Sequence, residues 1–96
     1  MPWLDFPSLV TPNGDGINDI WGIVGLLDEG WFPQNELWIF NQWGVLVYHV
    51  RDISSPDQFW DPNERPCPDG AYFYRFAARN KYGIVRRNGV IEVLRH

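Results

Sequence analysis

The sequence predicts an all-β domain, a single Ig-like antiparallel β-sandwich of about seven strands. Short segments rich in aromatic and β-branched residues recur about every 8–14 residues, separated by Gly, Pro, Asn and Asp. No segment of about ten residues carries the 3.6-residue apolar period of a helix. With six Trp, four Tyr and six Phe, the 96 residues suffice for one aromatic core, so residues 1–96 are expected to form a single domain.

The densest group of turn-forming residues is the stretch LVTPNGDGINDIW, residues 9–21. Pro12 fixes its own φ and keeps the residue before it extended. The residues that follow tolerate positive φ or accept hydrogen bonds from nearby backbone N–H groups: Asn13, Gly14, Asp15, Gly16, Asn18 and Asp19. The stretch therefore predicts a tight, self-bonded loop that joins an extended segment, residues 1–8, to an apolar strand at 20–27.

Two interpretations of this loop remain open. Its alternating oxygen-bearing side chains resemble the middle of a Ca²⁺ loop, although Thr11 stands where a first Asp would be and Gly22 where a bidentate Glu would close the site. Asn, Asp and Gly also serve metal-free turns, and far more often. We therefore expect no cofactor, and the calcium candidates are Asn13, Asp15 and Asp19.

Residues 36–50 predict the clearest hairpin, after a turn at 32–35. Leu37 and Ile39 alternate with Trp38 and Phe40, so both faces of the first strand are apolar, as is typical of a strand at the centre of the core. The bend is expected at residues 41–44, and the return strand at 45–50.

The second half of the chain predicts a crossing segment and a last group of strands. Residues 51–65 are polar apart from Phe59 and Trp60, which are expected to anchor them to the core. The strand at 71–78 places Tyr72, Tyr74 and Phe76 on one face and Phe73 on the other. The remaining elements are expected in order as a stiff turn at 66–70, a hairpin turn at 80–83, a return strand starting at 84–85, a bend or bulge at 86–89 and a final strand at 90–94.

The composition argues against several classes of function. A net charge of −4 is unlike a nucleic-acid-binding surface, and no apolar run approaches the ~20 residues of a membrane span. The single cysteine, Cys67, lies between prolines with no basic neighbour, and the two histidines are His49, within a strand, and His96. No catalytic motif accompanies them, so we expect no enzyme.

The aromatic residues leave one alternative, a carbohydrate-binding or adhesion module of a surface protein. Small β-sandwiches can stack sugars on exposed rings, and Trp31 and Trp43, at predicted turns, are the best candidates for such a platform. Trp38, Tyr72 and Tyr74 lie in strands, where rings more often fill the core.

Three ordered segments resemble the gliding motility-associated C-terminal domain, the type B C-terminal domain of the Bacteroidota type IX secretion system. Residues 11–19 resemble its TPNGDGxND motif, residues 37–44 its IFNRWG hairpin, and residues 68–74 its PDGTYFY strand; residues 89–95 resemble its closing strand. The residues that carry the match, and are expected to serve recognition, are Thr11, Pro12, Asn13, Gly14, Asp15, Gly16, Asn18, Asp19, Phe40, Asn41, Trp43, Gly44, Trp60, Asp61, Pro68, Asp69, Gly70, Tyr72 and Tyr74.

The resemblance implies a non-catalytic sorting signal at the C-terminal end of a larger precursor, which carries its cargo to the cell surface or the medium. The implied partners are the type IX translocon and a PorP/SprF-like outer-membrane protein, and the isolated domain is expected to be monomeric. Met1 is then expected to begin a segment of that precursor. Two departures stand out: Gln42 replaces the usual Arg, and Pro62 replaces the Gly that follows Trp60 and Asp61.

Overall fold

The computed structural model describes residues 4–12, 19–27, 32–64 and 67–94. These residues form one five-stranded sheet in the spatial order β1-β5-β4-β2-β3. The strands are β1 (Leu9–Val10), β2 (Gln34–Phe40), β3 (Leu46–Arg51), β4 (Gly70–Asn80) and β5 (Gly83–Val93). Among the described residues, the only helical element is a 3₁₀ turn at Pro56–Gln58. The all-β class is confirmed.

The sheet is mixed, because β1 pairs with β5 in parallel while the other neighbouring strands are antiparallel. One face of the sheet carries the core, and this follows from the two-residue alternation of the strands. The hydrophobic sheet residues buried there are Val10, Leu37, Ile39, Tyr72, Tyr74, Phe76, Ala78, Ile91 and Val93. The opposite face, called the open face below, carries the alternate residues.

Loop segments, rather than the predicted second sheet, cover the core face within the described part of the chain. They contain two isolated bridges, Asp5 with Val24 and Trp21 with Trp60. The apolar segment at 20–27 does not form the predicted strand, because the chain turns at Gly25, which has a φ of 91°. Trp21 is still buried, and its indole N–H donates to the Pro7 carbonyl at 2.6 Å.

The predicted hairpin is confirmed, with β2 paired to β3 and Gly44 in the turn at a φ of 80°. Leu37 and Ile39 are fully buried, as expected for a central strand that is paired on both sides. Trp38 and Phe40, however, lie on the open face and are only half-buried, so one face of β2 rather than both belongs to the core.

The predicted bend at residues 86–89 is wrong, because β5 continues through it in unbroken register with β4. Asn88-Gly89 looks like a turn dipeptide, but Gly89 lies directly opposite Tyr74. A Cβ at Gly89 would come within 2.7 Å of the Tyr74 hydroxyl oxygen. Glycine is therefore required here because the tyrosine ring packs over it. Two expected short strands are one long strand.

The crossing segment after β3 is fastened to the core by side chains. The Tyr48 hydroxyl donates a hydrogen bond to the Gln58 carbonyl at the end of the 3₁₀ turn. Burial raises the pKa of the Tyr48 phenol, and the nearby Glu64 and Asp57 carboxylates raise it further. The phenol therefore keeps the proton that this hydrogen bond needs. Trp60 is buried, as the sequence predicted.

A buried asparagine replaces the turn that was expected at residues 32–35. Asn35 belongs to β2 and is 5% exposed. Its side-chain N–H₂ donates to the carbonyls of Phe32 and Ile53, at 2.9 and 3.3 Å, and its oxygen accepts from the Ile53 N–H at 2.9 Å. One side-chain amide thus provides hydrogen-bond partners for buried backbone groups just before β2 and just after β3.

Asn35→Leu is expected to lower the free energy of unfolding by about 3 kcal/mol, because it leaves three buried backbone groups without partners. Gln34→Ala, at the exposed neighbouring position, is the control and is expected to change stability by less than about 0.5 kcal/mol. Urea unfolding followed by fluorescence measures both. Equal stability of the Asn35 variant and the parent would show that water replaces the amide at no cost.

Candidate functional site

The motif residues divide into a buried group and an exposed group. In the first motif the structure describes Thr11, Pro12 and Asp19, of which Pro12 is buried and the other two are half-buried. The other members lie outside the described residues: Asn13, Gly14, Asp15, Gly16 and Asn18. The calcium candidates Asn13 and Asp15 are among these.

The start of the first motif is bonded to the Trp60-Asp61 segment through Asn63. The Asn63 side-chain N–H₂ donates to the Pro12 carbonyl at 2.9 Å, and the Asn63 backbone N–H donates to the Asp61 carboxylate at 2.9 Å. Trp60 pairs in turn with Trp21 through two backbone hydrogen bonds of 2.8 and 3.2 Å. Asn63 was not among the expected site residues, although an asparagine two residues after an Asp is a recognisable turn pattern.

The tyrosines of the third motif also serve the framework. The Tyr72 ring packs against Trp60, with centroids 5.2 Å apart, and its hydroxyl donates to the Pro68 carbonyl at 2.7 Å. Tyr74 packs against Trp21 and stacks on Phe6, at 5.2 Å in each case. Burial raises the pKa of the Tyr74 phenol, while Arg87 lowers it and Asp5 raises it. These rings join distant motif segments within the core.

The exposed group begins at the hairpin bend, residues 41–44, whose shape depends on Asn41. The Asn41 side-chain oxygen accepts hydrogen bonds from the backbone N–H groups of Trp43 and Val45, at 3.0 and 2.9 Å. Its backbone carbonyl accepts from the Gly44 N–H at 3.0 Å. The Trp43 side chain, 77% exposed, projects from this bend into solvent.

The hairpin bend and the start of β4 face each other across a groove, called the tip groove below. Its volume is about 190 Å³, and its lining includes Asn41, Gln42, Trp43, Pro68, Asp69 and Gly70. The second and third motifs, 28 residues apart at Asn41 and Asp69, therefore share one surface. Gly70 starts β4 at a φ of 146°, a conformation that favours glycine.

The tip groove provides an aromatic ring, amides and a carboxylate, which are groups suited to binding a protein surface. No three His, Cys, Asp or Glu side chains lie close enough to hold a metal ion in the described ranges. Cys67 is buried, and its backbone N–H donates to the Pro62 carbonyl at 3.1 Å. No helix in the described part of the chain has the length and apolar composition needed to cross a membrane.

Comparisons with known proteins identify the family. Searches of the curated proteins and of the solved structures found no match. The family model described as CHU_C Type IX secretion signal domain matches residues 4–93, nearly the whole chain. The chain therefore belongs to the type IX secretion signal domain family, whose members mark proteins for export through the outer membrane to the cell surface or the outside.

Proposed function

We propose that this domain is a non-catalytic C-terminal signal that the type IX machinery recognises in its folded state. The observation that carries this proposal is the family match over residues 4–93, which spans the whole sheet and both bridged loop segments. The partners proposed are the translocon and a PorP/SprF-like outer-membrane protein. The cargo is a larger protein that precedes this domain in one precursor.

Recognition of the folded state is supported by the position of the motif residues. Trp60, Tyr72 and Tyr74 are 2%, 5% and 8% exposed, so a partner bound to the folded domain has little access to them. The pairing of β2 with β4 brings the exposed motif segments to the two sides of the tip groove. A short linear peptide would not hold Trp43 and Asp69 together in this way.

The proposal is tested by fusing residues 1–96 behind a reporter that carries its own periplasmic signal peptide. In a host with a matched type IX system, most of the reporter is expected at the cell surface or in the medium. In a translocon mutant, the same fusion is expected to stay in the periplasm. Retention of the intact fusion in the competent host would contradict the sorting function.

The export experiment needs a control for folding. Leu37→Asp places a charge at a position that is fully buried, so this variant is expected to unfold and to remain in the periplasm. Export of the unfolded variant at the parental level would show that a linear segment, rather than the folded domain, is recognised.

We further propose that the segment at residues 13–19 needs no calcium. Adding Ca²⁺ is expected to raise the melting temperature by about 1 °C or less, because a ligand stabilises the native state only if it binds to that state. Differential scanning calorimetry with EDTA and with 5 mM Ca²⁺, about the concentration that would fill a weak extracellular site, measures this shift. A saturable rise of several degrees that Asp15→Ala removes would identify a calcium site.

A further inference from the structure

The open face of the sheet carries a row of apolar side chains that crosses four strands. The strand register places Leu46 beside Phe40 and Phe40 beside Phe73. It also places Phe73 beside Val90. Leu46, Phe73 and Val90 are 48%, 43% and 48% exposed. We call these four residues the apolar row. Large side chains exposed in one contiguous row are typical of interaction surfaces.

The same face concentrates positive charge. Pairing and alternation place four arginines on it: Arg51, Arg75, Arg79 and Arg86. They are half of the eight Lys and Arg residues of a chain whose net charge is −4. The strands contribute two carboxylates to this face, Glu36 and Glu92, and Glu36 already contacts Arg51 at 3.3 Å and His49 at 2.5 Å.

Three of these arginines are available to a partner. Within the described residues, no carboxylate lies within ion-pair distance of Arg75, Arg79 or Arg86. A groove of about 370 Å³ is lined by Arg51, Arg79 and Arg86, and its lining also includes the carboxylates of Glu36 and Asp52. A second groove, of about 540 Å³, runs along the apolar row beside Arg75. The face therefore combines an apolar strip with recesses in which arginines outnumber carboxylates.

The open face is continuous with the recognition motif. Asn41, Gln42 and Gly44 of the hairpin bend line the same groove as Phe73 and Val90. A partner seated on the apolar row would thus also touch the exposed side of the bend. The apolar row itself contains two motif residues, Phe40 and Phe73, so the open face and the bend belong to one surface.

We propose that the open face is a docking surface for an acidic, apolar-centred patch on a protein component of the secretion machinery. This inference rests on the proposed function. Carboxylates of the partner pair with Arg75, Arg79 and Arg86, and its apolar side chains cover the apolar row. Complementary charge of this kind speeds encounter and excludes wrong partners, while the apolar contacts provide affinity.

The charge of the open face favours an acidic protein partner over a second copy of this domain and over a membrane. Pairing of two open faces would bring together two surfaces on which arginines outnumber carboxylates, and like charges disfavour a second copy. An anionic membrane would attract the arginines, but the apolar row lies within the strands of the sheet, beside a row that contains Arg75 and Asn88. It does not form the projecting apolar edge that inserts into lipid.

The first test compares two charge reversals in the reporter fusion. The test variant, Arg75→Glu with Arg79→Glu, changes the open face. The control variant, Lys81→Glu with Arg87→Glu, makes the same change in net charge away from that face. Lys81 lies in a turn, and Arg87 lies on the opposite side of β5. The open-face pair is expected to reduce export about tenfold, and the control pair less than about twofold. Melting temperatures show that both variants are folded.

The second test is photo-crosslinking in secreting cells with benzoylphenylalanine. Placed at Phe73 it is expected to give an adduct with a type IX component, identified by mass, and the Arg75→Glu/Arg79→Glu change is expected to abolish that adduct. Placed at Tyr82, an exposed ring in the β4–β5 turn, it is expected to give none. An adduct of equal yield from both positions would contradict a specific docking face.

The remaining outcomes separate this inference from the proposed function. If the parent fusion is exported and the folded open-face variant is exported equally well, the docking surface is wrong and the sorting function stands. If the parent is never exported, the sorting function itself fails. A dimer in sedimentation that Phe73→Ser dissociates would reassign the face to self-association. Binding to phosphatidylglycerol vesicles that the arginine reversal removes would reassign it to lipid.

Discussion

Ile39→Asp is expected to abolish the cooperative unfolding of this domain. Ile39 is fully buried at the centre of the sheet, where its neighbours in register are Tyr48 on β3 and Tyr74 on β4. A carboxylate there is removed from water, and the cost is several kcal/mol. Because a domain of this size is stable by roughly 5–10 kcal/mol, most of that stability would be lost. Circular dichroism during heating measures the transition.

The neighbouring residue provides the matched control. Phe40 lies on the open face and is half-buried, so an aspartate at this position reaches water. Phe40→Asp is therefore expected to keep a cooperative transition, with a loss of about 1–2 kcal/mol from the apolar contacts removed. Cooperative melting of Ile39→Asp near the parental temperature would show that β2 is not the centre of the core.

Ile39 and Phe40 illustrate how much of the structure can be predicted from the sequence. Alternation showed that β2 is apolar on both faces, and the hairpin, its bend and its position in the core were all predicted. Alternation does not show which face is covered, because an exposed apolar row and a buried one have the same pattern. The prediction therefore treated Ile39 and Phe40 alike, whereas the structure separates them.

Turn chemistry was informative only where no packing requirement competed with it. Asn41 and Gly44 form the expected bend. Asn88 and Gly89 have the same composition but continue a strand, because β4 holds them in register and Tyr74 occupies the space above Gly89. The residue that packs against such a dipeptide in the folded domain decides whether the dipeptide forms a turn or continues a strand. The local sequence does not specify that residue.

The layer opposite the sheet was the least predictable part of the fold. The apolar residues at 20–27 suggested a strand, yet they are buried through loop contacts and two isolated bridges. Burial of Trp21 requires an apolar environment but not a continuous ladder of backbone hydrogen bonds. Asn35 was missed for a related reason, since an asparagine two residues after a proline resembles a turn, and only the tertiary structure places it among buried carbonyls.

The expected site residues also had to be sorted by the structure. A motif records which residues belong together without showing whether they support the fold or face a partner. Trp60, Tyr72 and Tyr74 prove to be buried framework, whereas Trp43 and Asp69 are exposed. The motif match therefore gave the buried framework residues and the exposed residues equal weight.

Trp43→Ala is expected to reduce export of the reporter fusion about tenfold while leaving the domain folded. The Trp43 ring is 77% exposed, so its removal is expected to change the melting temperature by about 1 °C or less. Exposed tryptophans that a partner covers are frequent hot spots of protein interfaces, where truncation costs about 2 kcal/mol or more in binding. Loss of export without loss of stability would thus assign the ring to recognition.

Asn41→Ala separates the shape of the bend from the ring that it presents. This change removes both side-chain hydrogen bonds to the Trp43 and Val45 N–H groups, so the ring remains but its direction is no longer fixed. Export is expected to fall less than in Trp43→Ala, with a stability loss of about 1 kcal/mol. Tyr82→Ala, at the 63% exposed ring of the other hairpin turn, is the control and is expected to export like the parent. If all three folded variants are exported at the parental rate, the tip groove is not the surface that the machinery reads.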